Sequence, residues 1–421
     1  MSGSGSVVEP PPPGSSPLDV DEIRAEFPAL DQQVHGRDLV YLDNAATAHK
    51  PNRVIDAVRE HDRATNANVH RGVHALSQRA TDAFEEARDT TRAFLGAEDP
   101  EEIIWTRGTT EAINLVADAW ARRELGPDDE IVLTELEHHS NIVPWQRVRE
   151  ETGARLRVVP IDDDGAVEMD ALEDAVGPDT ALVTLAHVSN ALGTVNDVHA
   201  ATEIAHDADA LALVDGAQAV PHMDVDVQDI GCDFYAFSGH KVYGPTGIGA
   251  LYGRRELLEE MQPYQAGGEM IRQVTFEETT YACLPAKFEA GTPNITGAVG
   301  LGHALDFVTD HGRDSIRAHE DRVLSAATER LAAIDEVEIL GTAEDKASVL
   351  SFVIEDVHPH DVGTVLDREG VAIRAGHHCT QPVMDKFGVA ATCRASFAMY
   401  NTVEETEALA DAVREAIEIF H

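Results

Sequence analysis

The stretch Asp233-Phe-Tyr-Ala-Phe-Ser-Gly-His-Lys-Val-Tyr-Gly-Pro-Thr-Gly-Ile-Gly249 decides how the chain is read. Residues 233–237 form an apolar, aromatic run of strand length. Lys241 follows directly, where burying a free ammonium is costly. The chain holds only five lysines against 27 arginines. A sequence that avoids lysine yet keeps one beside an apolar strand points to use of its amine, for which a Schiff base with a carbonyl cofactor is the obvious chemistry. On this stretch alone, an ordinary surface lysine at a strand end explains the residue equally well.

Outward from this stretch, short apolar runs alternate with helical patterns. Strands are expected at residues 102–106, 130–134, 155–160, 181–187, 211–215, 233–237 and 248–252, and helices at 76–95, 110–121, 142–151 and 197–206. Such alternation implies a mostly parallel sheet covered on both faces. After about residue 297 the rhythm changes. Long amphipathic helices at 315–334 and 403–419 flank strands at 348–354, 371–374 and 394–397, which reads as a smaller α+β domain. Residues 1–17, rich in Pro, Gly and Ser, read as a disordered tail. The expected division is a large domain over residues 18–296, its first residues free to pack on the small domain, and a small domain over 297–421.

Bulk properties narrow the function. The formal charge is −44, from 76 acidic and 32 basic residues, which excludes the basic face that nucleic acid requires. An acidic excess spread over the whole chain, with few lysines, reads as the surface of a halophilic protein, because salt screens the self-repulsion. Four cysteines (Cys232, Cys283, Cys379, Cys393) make no disulfide framework and no close metal pair. Cys232, Cys283 and Cys393 read as small buried hydrophobes. No apolar run reaches the length of a membrane span, and no signal peptide is evident, so a soluble, cytoplasmic protein is expected.

Ligands of open parallel sheets gather beyond the carboxyl ends of the strands. After residue 106 come Gly108, Thr109 and Thr110, which open a helix whose free N–H groups favour a phosphate; taken alone, ordinary helix capping outweighs that reading. After residue 134 comes Glu-His-His-Ser-Asn141, where His138 is placed to lie against a planar cofactor. As strand neighbours, His138 and His139 would point apart, which argues against a shared metal. Asn190 can donate to a phenolic oxygen, with a turn asparagine as the alternative. Asp215 ends an apolar strand and is placed to pair with a pyridinium nitrogen; Gln218 follows three residues on. Ser238 and His240, just before Lys241, can contact phosphate.

The order of these tools, together with Asp215-Gly-Ala-Gln and Ser238-Gly-His-Lys-Val-Tyr-Gly-Pro, resembles the class V aminotransferase-like enzymes that use pyridoxal phosphate (PLP) in fold type I. The resemblance runs from about residue 20 to the C-terminus. It implies an α/β fold whose large domain holds a mostly parallel seven-stranded sheet. It also implies PLP attached to Lys241, His138 stacked on the ring and Asp215 on the pyridine nitrogen. A homodimer follows too, with Thr292 of Glu289-Ala-Gly-Thr-Pro-Asn294 reaching the neighbouring subunit's phosphate.

The C-terminal domain narrows the reaction. In Arg374-Ala-Gly-His-His-Cys-Thr-Gln-Pro382, Cys379 follows two histidines and an arginine. Positive surroundings favour a thiolate, the nucleophilic form, although an inert loop thiol fits the residues equally well. Arg394 begins an apolar strand, where its guanidinium can clamp a carboxylate; a structural ion pair is the alternative. These stretches, with Leu42-Asp-Asn-Ala-Ala-Thr47 and Asn68-Val-His-Arg-Gly72, resemble the SUF-type (group II) cysteine desulfurases. That resemblance implies removal of sulfur from L-cysteine, with alanine released and a persulfide left on Cys379. Lys241 would move the α-proton, and His138 is a further candidate for proton transfer. Arg394, Asn190, His70 and Arg374 would bind substrate, and an acceptor protein would carry the sulfur toward iron–sulfur clusters. His358 and His360 read as surface residues, with contact to that partner as the other reading. Selenocysteine lyase and cysteine-sulfinate desulfinase use similar machinery and stay open at this point. A non-catalytic scaffold is the reading from another class, against which the presence of Lys241, Asp215 and Cys379 together argues.

Overall fold

The computed structural model describes residues 18–421; the segment read as a tail, 1–17, lies outside the described residues. The central sheet has seven strands: β1 (Ile103–Thr106), β2 (Glu130–Thr134), β3 (Arg155–Val159), β4 (Thr180–Ala186), β5 (Leu211–Asp215), β6 (Phe234–Ser238) and β7 (Gly249–Gly253). Their spatial order is β1-β7-β6-β5-β4-β2-β3. All neighbours run parallel except β7, which is antiparallel to both β6 and β1. Strands β1, β2, β6 and β7 are buried along their whole length. Such two-sided burial is why these strands read as continuous apolar runs rather than alternating ones.

Helix α1 (Ala75–Leu95) covers one side of the sheet, and α2 (Thr109–Val116) starts directly beyond β1. The expected helix over 110–121 keeps regular winding only to Val116 and continues as a wider π turn, Ala117–Ala121. Helix α3 (Ile295–His311) packs on α1, and its Ala298, Leu301, Leu305 and Val308 belong to the large core. Residue 297 therefore lies inside a helix that packs with the large domain. The second core gathers Val323 and Leu331 of α4 (Arg313–Ala332), Val362 and Leu366 of α5 (Pro359–Arg368), and Leu409 and Val413 of α6 (Val403–Phe420).

These helices cover a four-stranded antiparallel sheet, β8 (Val337–Leu340), β9 (Val349–Ile354), β10 (Arg374–Gly376) and β11 (Thr392–Ser396), in the order β8-β9-β11-β10. The single strand expected over 371–374 is divided. Val371–Ala372 pairs in parallel with Val40–Tyr41, and β10 pairs with β11. Leu42 inserts into the second core, so the beginning of the described chain is stitched into the C-terminal domain. Cys232 and Cys393 are buried as expected. Cys283 is exposed: it follows the hairpin Ile271–Val274/Thr279–Tyr281, whose second strand is solvent-facing throughout.

Candidate active site

One cavity of about 470 Å³ lies beyond the carboxyl ends of the central strands, with the small domain closing one side. Lys241, Asp215, Gln218, Ser238, His240, Thr109, Thr110, His138 and Asn190 line it from the large domain. Arg374, Cys379 and Arg394 line it from the small domain. Twelve of the residues singled out from sequence thus converge on one space.

Two glycines allow the close packing beside Thr109 and Ser238. Gly108 has φ 145, and a side chain there would press on Ser238. At Gly249, an added Cβ would stand 2.4 Å from the Phe237 carbonyl oxygen and 2.7 Å from Gly108 Cα. Without side chains at both positions, the α2 N-terminus settles directly on β6 and β7. There the Thr109 N–H donates to Ser238 Oγ at 2.9 Å, and the Thr109 hydroxyl lies 2.9 Å from the same atom. Beside them, burial and the charges of Lys241 and Lys50 push the His240 ring down to about 4, so it is neutral at physiological pH.

Asp215, also lining the cavity, is buried at the tip of β5 and accepts the Ala217 N–H at 3.0 Å. Burial raises its carboxyl, and Lys241 pulls it back. Lys241 itself is pushed down from 10.5 to about 8, chiefly by burial. Gln218 donates to the Ala45 carbonyl at 2.8 Å, but its Oε1 is buried without a partner. His138 is not a strand residue: β2 ends at Thr134, and His138 caps the single 3-10 turn His139–Asn141. Its Nδ1 accepts the Ser140 N–H at 3.0 Å, leaving the proton on Nε2. Burial, with Lys241, His139 and Arg394 nearby, drives this ring down to about 3. Among the described residues no cluster of His, Cys, Asp or Glu is arranged to hold a metal.

The chemistry of this donor set fits PLP. A neutral imidazole is available to stack on the ring, a buried carboxylate to meet a pyridinium and a helix N-terminus with hydroxyls to meet a phosphate. Gln218 Oε1 is a buried acceptor still lacking a donor. Lys241 is an amine whose neutral form is within reach at physiological pH.

The thiol end is strained. His378 and Cys379 both have positive φ, 52 and 59. This conformation is held by Asn190 Nδ2, which donates to the His378 carbonyl at 2.8 Å, and by the His139 N–H, which donates to the Cys379 carbonyl at 2.8 Å. The thiol is exposed to the cavity mouth. Burial and the two arginines push His378 down to about 3, so this histidine is neutral and the nearby positive charge is that of Arg394 and Arg374. Arg394 is buried, donates to the Asn190 carbonyl at 2.8 Å and pairs with Asp43 at 3.2 Å; its Nε has no partner. The ion pair expected as the alternative reading of Arg394 is thus present, with Asp43 as its partner. Asp43 and the buried Glu137, which sits between the Thr134 hydroxyl at 2.7 Å and the Asn141 amide at 2.6 Å, received no role from the sequence.

Two expected site residues lie elsewhere within one chain. His70 is half-exposed and pairs with Glu85 at 2.8 Å. Thr292 lines a separate cavity with Glu111 and Tyr264, on a loop anchored by the Glu289–Arg88 ion pair of 2.8 Å. His360 reaches the mouth of the main cavity, and its ring is parallel to that of His358, 5.7 Å away.

Known proteins resemble this chain in sequence and fold. The family model described as aminotransferase class-V matches residues 40–409. A probable cysteine desulfurase of Halobacterium salinarum is 53% identical over 406 residues, covering 96% of this chain and 98% of that protein. A cysteine desulfurase of Haloferax volcanii is 49% identical over 420 residues, covering 96% and 99%. Among solved structures, the cysteine desulfurase CsdA of Escherichia coli superposes with a TM-score of 0.90 at 40% identity, covering 96% of this chain and all of that one. The apo cysteine desulfurase of Thermococcus onnurineus NA1 does so with a TM-score of 0.91 at 38% identity, covering 96% and 99%.

Proposed function

The chain belongs to the class V aminotransferase family of PLP enzymes, and from that premise we propose that it is a cysteine desulfurase that forms a persulfide on Cys379. The observation that carries the assignment is the exposed Cys379 thiol at the mouth of the cavity that Lys241, Asp215 and Arg394 line.

When bound, PLP supplies an electron sink for charge developing at the substrate α-carbon. The Arg394 guanidinium and the Asn190 amide hold the L-cysteine carboxylate. Lys241 Nζ would hold the cofactor, and the same nitrogen would serve as the base that takes the α-proton. Cys379 Sγ attacks the substrate sulfur, so that the carbon–sulfur bond breaks and a sulfur–sulfur bond forms. L-cysteine and one thiol thus become L-alanine and one persulfide. His138 would cover the ring face and, through Nε2, pass a proton near it.

The compact loop around Cys379 supports the group II assignment. The sulfur then passes to an acceptor protein of iron–sulfur cluster assembly. We further propose a cytoplasmic homodimer working in high salt, in which Thr292 and His70, remote from the cavity of their own chain, serve the neighbour's site. Incubation with L-cysteine and a thiol reductant tests the assignment. Equal amounts of alanine and sulfide are expected; pyruvate with little sulfide would overturn it. Cys379→Ala is expected to retain the bound cofactor and lose sulfide release.

A further inference from the structure

Arg374 and Arg394 stand directly opposite each other in the β10–β11 register. Like charges so placed on one sheet repel. Asp43 lies between them, with Oδ1 3.2 Å from Arg394 Nη2 and Oδ2 3.7 Å from Arg374 Nη1. Its backbone is fixed to the same strand. Asp43 bridges Ser396, and the Ala45 N–H donates to Ser396 Oγ at 2.9 Å. Both arginines line the cavity, whereas Asp43 sits behind them, largely buried.

We propose that Asp43 is a specificity-determining residue that sets the net charge of the anion site at this end of the cavity to a single positive unit. Two guanidiniums less one carboxylate leave one uncompensated charge, which matches one substrate carboxylate. An amino acid with a second anionic group in place of the thiol, such as a sulfinate, brings an excess negative charge into a partly dehydrated space that already holds Asp43. His378 adds no cation to the count, because burial and these two arginines keep its ring neutral. The inference rests on the desulfurase reading for the place of the substrate carboxylate.

The test is Asp43→Asn in the PLP-loaded enzyme, with L-cysteine and L-cysteine sulfinate compared by alanine released. The ratio of kcat/KM for sulfinate to that for cysteine is expected to rise about tenfold, as expected for removing one charge a few ångströms away. Calorimetric Kd values should move the same way, with L-aspartate gaining relative to L-alanine. A common fall for both substrates with an unchanged Kd ratio would overturn the proposal and leave Asp43 as a brace. If Asp43→Asn does not fold, Arg374→Met reads the same count in the opposite sense. Its ratio should move toward cysteine, and an unmoved ratio would also overturn the proposal. The desulfurase reading is tested separately by alanine and sulfide from L-cysteine with the unaltered enzyme; its failure would leave the aspartate-to-alanine binding ratio intact.

Discussion

Asn190 ties the two domains together at the reactive thiol: its side-chain amide donates to the His378 carbonyl at 2.8 Å, while its own carbonyl accepts from Arg394, also at 2.8 Å. One large-domain residue therefore positions both Arg394 and the residue before Cys379. Asn190→Ala is expected to lower kcat/KM for L-cysteine by about tenfold to a hundredfold, since misplacing reacting groups by an ångström costs that much. Cys379 alkylation by iodoacetamide, measured beside turnover, should change rate as well, because the positive φ at His378 and Cys379 loses a restraint.

Lys241 provides a pH-dependent signature. Burial lowers its amine from 10.5 to about 8, so the neutral, nucleophilic form accounts for about a tenth at pH 7 and for most above pH 9. The rate at which cofactor-free protein captures added PLP should rise with pH through about 8 and then level off. Absorbance during reconstitution checks this. Lys241→Arg should show no such rise.

Glu137 should make stability fall with pH. Burial pushes its carboxyl from 4.5 up to about 7, against the hydrogen bonds of Thr134, Asn141 and the Ala186 N–H. Between those values the folded protein holds the proton that the unfolded chain releases. This contribution is complete below about pH 4.5 and lost as pH rises through 7, amounting to ~3 kcal/mol. Melting temperatures across pH 5 to 8 should show the slope, and Glu137→Gln should flatten it.

Salt should stabilise the chain. With a net charge of −44, self-repulsion is strong where the screening length is about 10 Å, near 0.1 M salt, and weak where it is about 3 Å, near 1 M. Thermal melts in KCl are expected to shift upward over that range. An unchanged Tm would separate the acidic composition from any need for salt.

The parts of the molecule legible in sequence are those whose signal is local. Apolar runs located all seven central strands, and the residues just past them, from Thr109 to Lys241, form the cavity wall. Legibility failed where meaning depends on distant partners. Asp43 and Arg394 are separated by 351 positions, and nothing near Asp43 announces the arginine. Glu137 resembles an ordinary loop acid until its burial is seen. The adjacent histidines read as strand neighbours because Glu130–Thr134 is so apolar, yet the strand stops four residues before His138. His70 and Thr292 were assigned through family likeness, and one chain places neither in the cavity.

The pairing of Val40–Tyr41 with Val371–Ala372 has a consequence for biosynthesis. A ribosome emits the first of these segments long before the second. Until then Leu42 has no C-terminal core to enter, and Asp43 has no guanidinium to meet. The side of the cavity that Cys379 and Arg394 form therefore stays incomplete until both have left the ribosome, and termination before them would release a protein without its reactive pocket.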